Sequence, residues 1–73
     1  MSEKKRISYY IVLCIKEFAK SQKMSLKDAY YYLSKYKGIE FLEEFYLAEH
    51  LLGFDEVIED LIAICKKEGG QLV

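Results

Sequence analysis

Proline is absent from this chain, and glycine occurs only four times, at Gly38, Gly53, Gly69 and Gly70. There is no repeat and no linker to divide the sequence, so its 73 residues are expected to form one small domain. Long apolar runs are missing as well. The longest, residues 9–15, is seven residues, far below the roughly 20 that a membrane-crossing helix needs. Cysteine is limited to Cys14 and Cys65, a spacing that matches no zinc pattern, and nothing resembles a secretory signal with a small-residue cleavage site. The expectation is a cytoplasmic protein with reduced, buried thiols, a Cys14–Cys65 disulfide being the lesser alternative. His50 is the sole histidine, which excludes a His-pair metal site. Nor is there a phosphate-binding loop, or a nucleophile beside a base. No enzyme activity, cofactor or metal is therefore expected.

What is present is grease, tyrosine and separated charge. Apolar residues make up 52% of the chain, with seven Tyr and four Phe, which argues against disorder. A domain this size buries only about 60% of the surface its unfolded chain exposes, so part of that aromatic surface should stay in water or be covered by another chain. Residues 1–37 carry nine Lys/Arg against three acids, a net of +6; residues 38–73 carry two against nine, a net of −7. The near-zero total conceals a strong dipole.

Apolar spacing at 100° per residue predicts an all-α, compact bundle of four short helices at about 7–20, 26–37, 39–52 and 55–67. In the first, Ile7, Ile11, Cys14, Ile15 and Phe18 share a face. Residues 9–15 also read as a strand, but the Lys-Glu-Phe-Ala-Lys that follows continues the helical phase. Ser25 caps the second helix, whose core face is Leu26, Ala29, Tyr30 and Leu33, and Gly38 is expected to end it in the left-handed conformation. The third should bury Phe41, Phe45, Ala48 and Leu52, with Leu42 at the edge and Gly53 as its stop. The fourth aligns Phe54, Val57, Ile58, Leu61 and Cys65, with acids at its start and lysines at its end. Residues 1–6 and 69–73 are expected to be flexible ends. The basic first pair of helices would then lie against the acidic second pair, and the charge split is either neutralised there or presented as a docking surface.

Three groups of residues are candidate surfaces. With Tyr30 inward, Tyr31 and Tyr32 face out between Lys27 and Lys35, a Lys-Tyr-Lys ridge of the kind enriched at interfaces. The bland reading lays both rings flat over neighbouring helices. Glu43, Tyr46 and His50 fall at i, i+3 and i+7 on the side away from Phe41 and Phe45, a hydrogen-bonding surface more than an acid–base pair. Tyr9, Val12 and Leu13 lie opposite the core face of the first helix and are the expected contact of a homo-oligomer, a dimer in the simplest case. Lys4-Lys5-Arg6 before an apolar helix invites a membrane-surface reading, but residues 9–15 lack the polar face such a helix keeps. A small DNA-binding regulator using the basic segment 21–37 is the alternative reading. It is disfavoured because the chain is acidic overall and the would-be recognition helix has no Arg or Asn.

Read end to end, the chain resembles a family of small uncharacterised bacterial proteins. The likeness lies in ISYYIVLCIKEFAK, then MSLKDAYYYLSKYKGIEFLEEFY, then FYLAEHLLGFDEVIEDL. Members look like I-x-F-x-V-F-C-I-E-x-Y-A, then L-S-x-x-E-A-Y-x-L-L-x-K-Y-G, then E-F-Y-D-x-L-H-T-Q-G. Tyr46, His50 and Gly53 match the Tyr, His and Gly of the last pattern. Leu47 stands where the family has Asp, and Leu51-Leu52 where it has Thr-Gln, so this segment is the more apolar. The resemblance implies a helical fold, a bacterial origin, and a gene often placed beside toxins with an ADP-ribosyltransferase-like look. It therefore implies an antitoxin-like or regulatory protein whose partner is another protein. Its partner-binding residues would be Lys27, Tyr31, Tyr32, Lys35, Glu43, Tyr46 and His50.

Overall fold

The computed structural model describes residues 2–71, and among these every regular element is a helix. In order they are α1 (Glu3–Gln22), α2 (Leu26–Lys35), α3 (Gly38–Glu44), α4 (Tyr46–Glu49) and α5 (Phe54–Lys67). The expected bundle of four helices is met by the four longer ones; α4 is a single turn split from the end of the expected third. Of the expected flexible ends, residues 3–6 are helical, while Met1, Leu72 and Val73 lie outside the described residues.

Local chemistry explains the boundaries. Ser2 starts α1 by accepting a hydrogen bond from the Lys5 N–H at 3.3 Å, and Ser25 starts α2 by accepting from the Asp28 N–H at 3.0 Å, each satisfying a donor that the first turn leaves free. At its end α1 donates from Met24 N–H to the Ala19 carbonyl at 2.8 Å while Lys23 turns left-handed, φ 55°. At the end of α5, Gly70 N–H reaches the Cys65 carbonyl at 2.7 Å and Gly69 N–H the Lys66 carbonyl at 3.1 Å, with Gly69 at φ 99°. Both are Schellman endings. Gly69 and Gly70, expected to release a tail, instead form a folded cap. Gly70 is buried, and a methyl added to it would stand 2.6 Å from the Tyr32 hydroxyl and 2.9 Å from the Cys65 carbonyl oxygen.

The 20-residue α1 is about 30 Å long, which sets the 37 Å long axis of the molecule. It packs on α2, α3 and α5, and α3 closes the gap between α2 and α5. The core holds Cys14, Ile15, Phe18 and Ala19 from α1, Ala29, Tyr32 and Leu33 from α2, Leu42 from α3, and Val57, Leu61 and Cys65 from α5. Burying each large apolar side chain contributes roughly 1.5–3 kcal/mol. The fully buried residues of α1 all lie in its second half, with Tyr10 and Ile11 packed at the core's edge and residues 3–6 projecting beyond it.

Three expectations about packing are corrected. On α2, Tyr32 is inside and Leu26 and Tyr30 are outside. Ala29 and Leu33 belong equally to the stripes 26/29/30/33 and 29/32/33/36, and the second wins because Tyr32 stacks on Phe18 and tilts against Tyr36. At the α2–α3 junction Lys37, not Gly38, takes the left-handed backbone, φ 64°. Gly38 opens α3 and is required for space: a Cβ there would meet Leu33 Cδ2 at 2.8 Å and Cys65 Sγ at 3.2 Å. In the expected third helix, Leu42 is fully buried, Phe41 half-buried, and Phe45, Ala48 and Leu52 are exposed. The inward stripe is Gly38, Leu42, half-buried Tyr46 and Glu49, one position along from the expected one, and the helix breaks at Phe45.

Candidate functional site

On α2, Lys27, Tyr30, Tyr31 and Lys35 stand exposed on the outer face. Tyr31 is 64% exposed, and the Lys35 ammonium sits 5.8 Å from its ring centre and 5.5 Å from that of Tyr36. Each cation–π contact at an exposed site contributes about 0.5–1 kcal/mol, enough to bias the ridge towards one conformation. Tyr32 leaves this set. It is 8% exposed, with its ring 5.9 Å from that of Phe18 at 17°, and burial raises its hydroxyl pKa.

The second expected cluster is split by the break at Phe45. Tyr46 and His50 remain together, their rings 4.6 Å apart and nearly parallel at 9°, with His50 Nδ1 donating to the Tyr46 carbonyl oxygen at 2.7 Å. Tyr46 meets Tyr10 edge-on at 5.3 Å, which ties α4 to the first half of α1. Glu43 is exposed on the preceding helix, and among the described residues no hydrogen bond or ion pair joins it to either ring.

Glu49 is the polar residue that the sequence did not single out. It is 6% exposed, and its Oε1 has no hydrogen-bond partner. Burial first, then the hydrogen-bonding neighbour Asp60 and its charge, then the charge of Glu56, push the carboxyl up to about 7. Beside it the Tyr10 hydroxyl is also buried, near the Cys14 thiol but without a hydrogen bond of acceptable geometry. Desolvation pushes both thiols, Cys14 and Cys65, up to about 11. They are free, buried and protonated at neutral pH, hence poor nucleophiles.

A third surface was missed altogether. Leu47 and Leu51, one turn apart, are 71% and 78% exposed, and Phe45, Leu52 and Phe54 beside them in sequence are exposed too. Acids flank this corner at Glu43, Glu44, Asp55 and Glu56, and no Lys or Arg occurs between Lys37 and Lys66. A usable signal existed in the substitution of leucines for the polar Asp and Thr-Gln of the family pattern. Of the expected oligomer contact, Tyr9 and Val12 are exposed and Leu13 is half-buried.

The charge split is largely left in solvent. Lys37–Glu68, at 3.5 Å, is the one ion pair among the described residues. A concavity lined by Tyr32, Ile62, Lys66, Gly69, Gly70 and Gln71 sets no acid against a base. Among the described residues no group of three His, Cys, Asp or Glu side chains could hold a metal ion, and no helix is long and apolar enough to cross a membrane. The model of the family described as "Protein of unknown function (DUF3791)" matches residues 9–68. No curated protein and no solved structure matches the chain.

Proposed function

The chain belongs to this family of proteins of unknown function, and we propose that it is a non-catalytic protein-interaction module, an antitoxin-like or regulatory partner of another protein. The observation that carries this reading is the α2 ridge: Tyr30 and Tyr31 stand in water beside exposed Lys27 and Lys35, with the Lys35 ammonium over the Tyr31 ring. Tyrosine supplies a large amphipathic contact with few rotamers to freeze. The groups suited to acid–base or nucleophilic chemistry are committed elsewhere, His50 to the Tyr46 carbonyl, Glu49 to an enclosed site, and the thiols to the core. In the bacterial setting that the sequence resemblance implies, the bound protein is a toxin-like neighbour. Tyr46 and His50, on another face, are assigned to holding α4 in place rather than to that partner.

The test is co-purification from source cells with mass-spectrometric identification, followed by titration of the purified pair. Tyr30→Ala with Tyr31→Ala should weaken the pair at least about a hundredfold, the size of a hot-spot loss, with the circular dichroism unchanged. Undiminished affinity would remove the ridge from the reading. Duplex binding at low salt, falling steeply with ionic strength, would replace the reading with the DNA-binding alternative, in which Lys23, Lys27, Lys35 and Lys37 contact phosphates. The expected result is no duplex binding.

A further inference from the structure

Little holds down the segment between the break at Phe45 and the start of α5. α4 is one turn of four residues with no side-chain cap at its start, and so short a helix does not stand by its own hydrogen bonds. Of residues 45–53, Glu49 alone is buried and Tyr46 alone half-buried; the rest are exposed. Besides the edge-on contact of Tyr46 with Tyr10, the anchor is therefore polar: a carboxyl 6% exposed, whose Oε1 has no hydrogen-bond partner.

The charges around that carboxyl have its own sign. α5 brings Glu56 and Asp60, the latter close enough to share a hydrogen bond with it. α1 brings the Tyr10 hydroxyl and the Cys14 thiol, with Glu17 beside Cys14. α3 carries Glu40, Glu43 and Glu44, all exposed. On the segment itself His50 is exposed, its Nδ1 on the Tyr46 carbonyl oxygen. No Lys or Arg occurs between Lys37 and Lys66. Two ionised carboxylates can only accept, so a hydrogen bond between Glu49 and Asp60 requires a proton on one of them.

We propose that residues 45–53 form a proton-held flap: a proton shared by Glu49 and Asp60 fastens α4 to α5, and its loss lets the flap open while the core of α1, α2 and α5 stays folded. Opening is favoured over unfolding because it brings only Glu49 and half-buried Tyr46 into water, whereas unfolding exposes the whole core. Linkage fixes the direction. In the open flap Glu49 titrates near its ordinary value, about 4.3; in the closed one it is raised to about 7, by burial first and then by Asp60 and Glu56. The closed flap binds the proton more tightly, so opening grows more favourable as pH rises between those values and levels off above the upper one. The flap does not depend on the α2 ridge, and failure of either leaves the other standing.

Amide hydrogen exchange on the full chain, corrected for the intrinsic effect of pH, tests it. The reporters are the N–H groups of Glu49 and His50, bonded to the Phe45 and Tyr46 carbonyls at 2.8 and 2.9 Å; Leu33 and Leu61 report on the core. From pH 5 to pH 8 the protection of Glu49 and His50 should fall at least tenfold. In low urea that protection should stay flat while that of Leu33 and Leu61 declines, because flap opening exposes little surface. Glu49→Gln should abolish the fall with pH, and Asp60→Asn should shrink it. Protection of Glu49 and His50 that follows Leu33 and Leu61 in urea, or that does not change with pH, would overturn the proposal. So would a fall that persists in Glu49→Gln or keeps its full size in Asp60→Asn.

Discussion

Phe18→Ala is expected to leave the protein largely unfolded at 37 °C. Phe18 is fully buried in the half of α1 that touches α2, α3 and α5, and its ring stacks on Tyr32. Truncating a phenyl in such a site costs about 3–5 kcal/mol, the lost transfer energy plus the cavity left behind. A small domain has little more than that to lose, since total stabilities begin near 5 kcal/mol. Losing Phe18 also removes what holds Tyr32 inward, and Gly70 packs on Tyr32 in turn, so the α5 cap should loosen with the core. Tyr9→Ala, on the same helix but 63% exposed, is the control and should stay within about 0.5 kcal/mol of wild type. Urea melts followed by circular dichroism separate the two. A Phe18→Ala protein that melts cooperatively near the wild-type midpoint would mean that the core is not where it is placed here.

Glu49→Gln should stabilise the protein at pH 8 and do much less at pH 5. The Glu49 carboxyl is raised to about 7 by burial, by Asp60 and by Glu56, whereas in the unfolded chain it titrates near its ordinary value, about 4.3. The folded state therefore binds the proton more tightly, and stability falls as pH rises between those two values, because folding then requires the ionised carboxylate of the unfolded chain to take up a proton that grows scarcer. The groups facing Glu49 do not relieve this. α5 brings Glu56 and Asp60, and α1 brings Tyr10 and Cys14, whose own protons are held tightly. Below pH 4 both states are protonated and the penalty vanishes. Glutamine keeps the shape, carries no charge and can donate to Asp60. The gain at pH 8 should be on the order of 1–3 kcal/mol, a rise in melting temperature of several degrees for a domain this small. Equal gains at both pH values would show that the carboxyl is not the titrating group.

The helical architecture was legible because α2 and α5 carry start and stop chemistry and α1 keeps a helical phase through Lys20, although its Ser2 cap and its first turn were not read. Ser25 caps as expected, and Val57, Leu61 and Cys65 face inward as spaced. Where phase went wrong, the reason is that the true inward residues do not look apolar. Gly38 and Glu49 occupy the buried stripe of α3 and α4, and a hydrophobicity count passes over both. The more apolar Phe45 and Leu52 draw the expected face one position away. On α2 two stripes share Ala29 and Leu33, and only the position of Phe18 on another helix chooses between Tyr30 and Tyr32. That is tertiary information, which periodicity within one segment cannot hold. The α2 ridge was half legible, with Tyr31, Lys27 and Lys35 placed correctly and Tyr30 exchanged for Tyr32. The leucine corner is not legible from periodicity, because Leu47 and Leu51 fall off the expected core face and only the polar residues of the family pattern at those positions mark them as outward.

Nuclear relaxation by a soluble paramagnetic probe gives the most direct measurement, taken at dilutions where sedimentation reports a monomer. Strong relaxation is expected of the Leu47 and Leu51 methyls and of the Tyr30 and Tyr31 ring protons, with Tyr32, Leu33, Leu42 and Leu61 protected. Protection of Leu47 and Leu51 in the monomer, or strong relaxation of Tyr32, would contradict it.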